Sequence, residues 1–265
     1  SLTAPDVALD GARYPPLERL LATSGRHYAP ISIALEGMAV VTGPNMGGKT
    51  AALRTLGFSA ACAALGVPVP ARTARLPLFD EIVWLGIGAA DVAPARAGLL
   101  SPFGAELVQL PAVLGAGPAP RAAGGESRRA LVLVDEFAQS TAPREGRALT
   151  IALLETLRER GALGLAATHF AGIAAAAGVV HFAIGRLEPA AAPLAPSLAS
   201  ESLEAALERV ANGMTYALER VAEDDAPNSG ALALARALGL DATLLTRAER
   251  ALRSSTSVEA DVDGA

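Results

Sequence analysis

Lys49 is the only lysine in this sequence, and it closes the run Gly43-Pro44-Asn45-Met46-Gly47-Gly48-Lys49-Thr50. The rest of the 22 cationic side chains are arginine. A compact ammonium, not a planar guanidinium fork, is what this position among phosphate oxygens needs. The glycines of the run let backbone N–H groups point inward at the start of a helix, the arrangement that cradles phosphates. In this reading Lys49 neutralises the β- and γ-phosphates of a nucleotide, and the Thr50 hydroxyl ligates Mg²⁺. Asp135 follows the apolar run Ala130-Leu131-Val132-Leu133-Val134, where a carboxylate can hold the Mg²⁺ shell. Its neighbour Glu136 would orient or deprotonate the attacking water. Two solvated acids opening a loop is the plain alternative, and the phosphate loop upstream weighs against it. His169 ends a second apolar run, within reach of a γ-phosphate. His27-Tyr28, just before the first strand of the motif, offers an aromatic surface for adenine. His181 reads as a structural residue inside a strand, Trp84 as core, and the regular arginines between Arg209 and Arg253 as solvated helix faces. Cys62, within Ala60-Ala61-Cys62-Ala63-Ala64, reads as a buried structural thiol.

These groups must be positioned by particular elements. Ile31–Leu35 and Met38–Thr42 read as short strands around Glu36-Gly37, the second running straight into the glycine-rich loop. A helix over Thr50 to about Ala64 ends at Gly66 and Pro68. Ile82–Leu85 is expected as a strand, Gly86–Leu100 as a flexible loop, Pro102–Leu114 as a helix and Pro118–Arg129 as a polar turn. Ala130–Val134 has the continuous apolar character of a parallel strand covered on both faces. Arg144–Arg160 reads as a helix, with Leu163–Ala167 and Val179–Ile184 as further strands. Strands alternating with helices predict an α/β fold of phosphate-loop type: a mainly parallel sheet flanked by helices, with chemistry at the strands' carboxyl ends. The expected organisation is a lead-in over 1–30, a nucleotide-binding core over 31–187 and a Pro/Ala/Ser-rich linker or insertion over 188–212. A mainly helical C-terminal element follows over 213–253, then a frayed acidic tail over 254–265.

Composition limits the function classes. Apolar residues are 51% of the chain and charged ones 18%, which suits a packed globular domain and excludes disorder. No apolar run of about 18 residues lacks charge or proline, so no membrane span is expected. A net charge of -5 argues against a generally basic nucleic-acid surface. A single cysteine forms no internal disulfide, which fits the cytoplasm. The opening Ser1-Leu2-Thr3-Ala4-Pro5-Asp6 has no secretory pattern and no initiator methionine, so a processed or excised piece is expected.

Val41-Thr42-Gly43-Pro44-Asn45-Met46-Gly47-Gly48-Lys49-Thr50 resembles the phosphate loop of the MutS family of ABC-type ATPases, and its Pro-Asn-Met-Gly filling is far more specific than the general pattern. The likeness continues. Ile87-Gly88-Ala89-Ala90-Asp91 is similar to the loop that links nucleotide to the rest of the machine. Ser101-Pro102-Phe103-Gly104-Ala105-Glu106-Leu107 resembles the signature segment, and Leu133-Val134-Asp135-Glu136-Phe137-Ala138-Gln139-Ser140-Thr141 the Walker B strand with its following loop. Ala167-Thr168-His169-Phe170 resembles the switch histidine, and Tyr216 through Ala248 the terminal helix-turn-helix that packs across a dimer.

The resemblance implies a composite ATPase, a homodimer in which Ser101 of one copy approaches the γ-phosphate held by Lys49 of the other, with Asn45 helping to place that phosphate or the water. ATP would then favour the closed dimer, and hydrolysis would release it. Pro102, where a small polar residue is usual, and Ala138-Gln139-Ser140, where glycine and arginine are usual, bear on turnover and cross-site communication and not on nucleotide binding. Because the loop begins at Gly43, the mismatch-reading domains of mismatch-repair MutS proteins are expected to be missing. The chain would be the motor module of a mismatch-repair-type protein, working with a larger subunit or reaching DNA through domains absent here. The alternative is a short MutS-related ATPase that reactivates a cobalamin-dependent aminomutase. Beside both stand a nucleotide-sensing scaffold with little turnover and a DNA-binding module.

Overall fold

The computed structural model describes residues 6–44, 47–86, 101–115, 119–121, 125–187, 205, 213–222, 232, 235–236 and 238–262. In chain order the elements are β1 (Val7–Ala12), α1 (Pro15–Thr23), β2 (Ile31–Leu35), β3 (Met38–Thr42), α2 (Lys49–Ala64), β4 (Thr73–Arg75) and β5 (Glu81–Gly86). There follow α3 (Pro102–Gly115), β6 (Ala119–Arg121), β7 (Gly125–Arg128), β8 (Ala130–Asp135), α4 (Pro143–Glu159), β9 (Leu163–Ala167) and α5 (Ile173–Ala177). The chain continues through β10 (Val180–Ala183), β11 (Arg186–Leu187), β12 (Met214–Thr215), β13 (Glu219–Arg220) and α6 (Ala242–Val262).

Six strands form the main sheet in the order β13-β10-β3-β9-β8-β5. All its pairings are parallel except the edge pairing of β13 with β10. The expected α/β fold with a mainly parallel sheet is therefore present. Its central strands are apolar up to their carboxyl ends, where β3 closes on Thr42 and β8 on Asp135, because both faces are covered. Side chains alternate between the faces. Val132 and Val134 of β8 join a core with α4 and α5, whereas Leu131 and Leu133 join one with α2. Helix α4 starts with Pro143 at its first turn, where a missing N–H costs nothing, and buries Leu153, Leu154 and Leu157. Full burial of each such leucine stabilises the fold by ~1.5–3 kcal/mol.

Several expectations change. The segment expected as a lead-in forms β1 and α1. Strand β1 pairs antiparallel with both β2 and β4, making a separate three-stranded sheet. Its Val7, Leu9 and Ala12 pack with α2 in the second core, so the segment is part of the folded unit. Strand β2 belongs to this small sheet and not to the parallel one. The polar turn before β8 contains the hairpin β6–β7. The C-terminal region expected as mainly helical contributes β12, paired with β11, and β13, which closes one edge of the main sheet. These strands are two residues long and carry no periodic signal. Helical backbone in α6 runs to Val262, past the start of the expected tail. The linker falls almost wholly outside the described residues.

Candidate active site

Three backbone hydrogen bonds extend the parallel sheet beyond its strand ends. The Glu136 N–H donates to the Ala167 carbonyl at 3.0 Å, the Thr168 N–H to Val41 at 3.1 Å, and the Ile184 N–H to Thr42 at 2.9 Å. They gather the phosphate loop, Asp135-Glu136 and Thr168-His169 at one carboxyl edge.

Lys49 opens α2 and is only 5% exposed. Its Nζ donates to the Gly43 carbonyl at 2.9 Å and to that of Pro44 at 3.3 Å, and pairs with Glu136 Oε1 at 3.2 Å. One residue on, the Thr50 hydroxyl donates to Asp135 Oδ1 at 3.1 Å. Burial raises the Asp135 carboxyl above its usual range. The Thr50 hydrogen bond opposes this, the Glu136 carboxylate adds to it, and the Arg54 and Lys49 cations offset part of it. One carboxylate beside one hydroxyl is a hard-oxygen pair of the kind that would hold Mg²⁺.

The imidazole of His169 stacks on Phe170 at 4.3 Å between ring centres. Loss of surrounding water lowers its pKa; the Glu136 carboxylate acts the other way, and Lys49 adds to the lowering. Its charge is thus set in part by the two groups that flank the phosphate position. His181, by contrast, lies buried beneath the loop, with Nε2 at 2.8 Å from Thr42 Oγ1. It is a prop under the last residue of β3, as its place inside a strand suggests.

The loop is also held from outside. Gly185 has φ +74°, and a Cβ there would stand 2.4 Å from the Cα of Gly47, so only glycine permits this close approach. Beside the loop opens a cavity of about 450 Å³ whose walls include Leu17, Leu21, Tyr28, Ile184, Met214 and Tyr216, with Gly48 and Ala51 at its edge. Tyr28 is thus brought next to the phosphate loop, with His27 in the same wall. The Tyr28 hydroxyl donates to Thr55 Oγ1 at 2.6 Å, and Thr55 in turn donates to the Ala51 carbonyl at 2.7 Å. This fixes the ring against α2. A mainly apolar cavity with two tyrosines in its wall, beside a glycine-rich loop, has the lining that a nucleobase needs.

Ser101 is not joined to this constellation within one chain. Its hydroxyl accepts from the Gly104 N–H at 3.1 Å and caps α3, and the residue is exposed. Asn45, Met46 and Ile87–Asp91 lie outside the described residues. Sequence reading missed Tyr216, Met214 and Ile184 as cavity walls. It gave no separate role to Glu106 of the signature-like segment, which is buried.

Comparison with known proteins identifies the family. MutS domain V matches residues 39–255. The DNA mismatch repair protein MutS of Shouchella clausii is 32% identical over 98% of this chain, which covers 28% of that protein. The endonuclease MutS2 of Gemmatimonas aurantiaca is 34% identical over 89% of the chain and 25% of its own length. That of Anaeromyxobacter sp. is 41% identical over 57% of the chain and 18% of its own length. The chain therefore spans less than a third of each of these curated relatives. On the span of the match and the site it contains, the chain belongs to the MutS domain V family.

Proposed function

We propose that this chain is a Mg²⁺-dependent ATPase module that works as a face-to-face dimer, the motor part of a mismatch-repair-type assembly. The observation that carries the reading is the contact of Lys49 Nζ with Glu136 Oε1 at the N-terminus of α2, with the Thr50–Asp135 pair alongside. A cation for a γ-phosphate and a carboxylate for a water proton stand at one point, next to a cavity suited to adenine. Lys49 would leave the loop carbonyls for the β- and γ-phosphate oxygens, joined there by loop N–H groups. Thr50 and Asp135 would hold Mg²⁺, which when bound spreads the negative charge of the β- and γ-oxygens. Glu136 accepts a proton from the water whose oxygen attacks the γ-phosphorus, and the bond to the ADP oxygen breaks. His169 would hydrogen-bond the departing phosphate or the water. Tyr28 and Tyr216 hold the base.

The exposed Ser101 at the head of α3 is the group offered to a second copy. Its hydroxyl would meet the triphosphate held by the partner's loop, so that ATP favours the closed pair by binding it better than the open one. The names of the relatives, one a DNA mismatch repair protein and two endonucleases, point to nucleic-acid work as the output of the cycle.

Phosphate release by the purified chain, measured against protein concentration, tests this reading. The rate per chain should rise with concentration and saturate, and sedimentation should show a dimer that ATP promotes. Nucleotide binding without phosphate release would instead leave a sensing scaffold.

A further inference from the structure

We infer that Glu106, on the helix headed by Ser101, is a positioning residue that holds the backbone behind Glu136 in its working conformation. The inference rests on the ATPase reading of this site. Glu106 is 5% exposed, and its Oε2 accepts the Ala138 N–H at 2.9 Å. Burial raises its pKa, and the hydrogen bond opposes that rise. A carboxylate in this place is costly when an apolar side chain would pack, since Phe103, Leu110 and Leu114 of the same helix join the apolar core.

What it holds is an unusual turn. Glu136 has φ 55° and Ala138 φ 60°, both left-handed and neither glycine. Such conformations persist only where surrounding contacts over-determine them. Phe137 between them is buried, its ring facing Phe103 at 6.5 Å. Its carbonyl accepts from Thr150 at 3.4 Å, and α4 comes so near that a Cβ on Gly146 would lie 2.5 Å from the Ala138 carbonyl. Glu106 grips the backbone of this turn through a carboxylate that accepts the Ala138 N–H. Two positions upstream the Glu136 carboxylate meets Lys49, so displacement of Ala138 swings the group that takes the water proton. The same bond fixes the helix bearing Ser101 to the turn bearing Glu136.

Turnover and nucleotide affinity of purified Glu106→Leu and Glu106→Gln variants test this. Leucine fills the space without accepting a hydrogen bond, and kcat should fall at least ~30-fold while the ATP Kd stays within about twofold. Glutamine still accepts from Ala138, and its kcat should stay within about threefold of wild type. In a Glu136→Gln background, Glu106→Leu should lower the residual rate no further. Should the leucine variant not fold, Glu106→Asp, withdrawn by one methylene, should lose at least ~10-fold in kcat. Wild-type kcat in the leucine or aspartate variant, an equal loss in Gln and Leu, or a further drop in the Glu136→Gln background overturns this inference alone. Absence of turnover in the wild type overturns the ATPase reading and this inference with it.

Discussion

The proposed phosphate end and the proposed base end of the site adjoin at Gly48 but are built by opposite means. At the phosphate end, residues 43–50 and 135–136 are two contiguous stretches, and charged or polar contacts lock each working group. At the base end, α1, the segment before β2, the end of β10 and the segment from β12 each supply a wall, and the holding force is apolar enclosure. Charge chemistry demands particular residues at fixed spacing, whereas a mainly apolar cavity can be assembled from whatever distant segments the fold brings together. A change at the phosphate end should therefore act on catalysis or phosphate affinity. One at the base end should act on the choice and grip of the base.

Glu136→Gln gives the largest expected effect. Turnover should fall ~10²–10³-fold because the amide takes no proton, while ATP still binds and a dimer accumulates. Equal phosphate release in mutant and wild type would remove Glu136 from the proton-accepting role. Lys49→Arg keeps the charge but replaces a buried point cation by a fork too wide for the Gly43 and Pro44 carbonyls, and ATP affinity should drop about 30-fold or more in calorimetry. Tyr216→Ala is the sharper probe of the contrast. It should cost ~1–2 kcal/mol in ATP binding, by analogy with base–aromatic stacking, and leave inorganic triphosphate affinity unchanged. If both ligands weaken alike, the two ends are not separable. Gly185→Ala should destabilise the fold by ~1–3 kcal/mol in urea unfolding, from a left-handed backbone and a clash with Gly47. The smallest effect concerns pH. Burial lowers the His181 pKa, so the fold favours the neutral ring. Stability from this group is present above the unfolded value of ~6.5 and is lost as pH falls through the lowered folded pKa. The fall in Tm between neutral and mildly acidic pH should be smaller in His181→Gln.

The sheet and the phosphate end were legible for a common reason. Ala130–Val134 and Leu163–Ala167 are apolar at successive positions because helices cover both faces, and such runs mark themselves. Gly43–Thr50, Asp135 and Glu136 are conspicuous because only those types serve the chemistry proposed for them. Val7–Ala12 escaped notice because it pairs in a small antiparallel sheet and includes Asp10 and Gly11, which blur its alternation. Met214–Thr215 and Glu219–Arg220 are too short for any period to show. Tyr28 could be suspected from its place before the motif. Tyr216 could not, because only the pairing of β11 with β12 brings it back over Gly48.

The burial of Lys49 has a practical consequence. Within these residues an amine-selective reagent has a single side chain to find, and that amine lies inside the cradle. Its acylation rate is a direct meter of how often the loop opens, read by mass spectrometry without any engineered label. A bound triphosphate should slow that rate, and a bare adenosine should slow it far less.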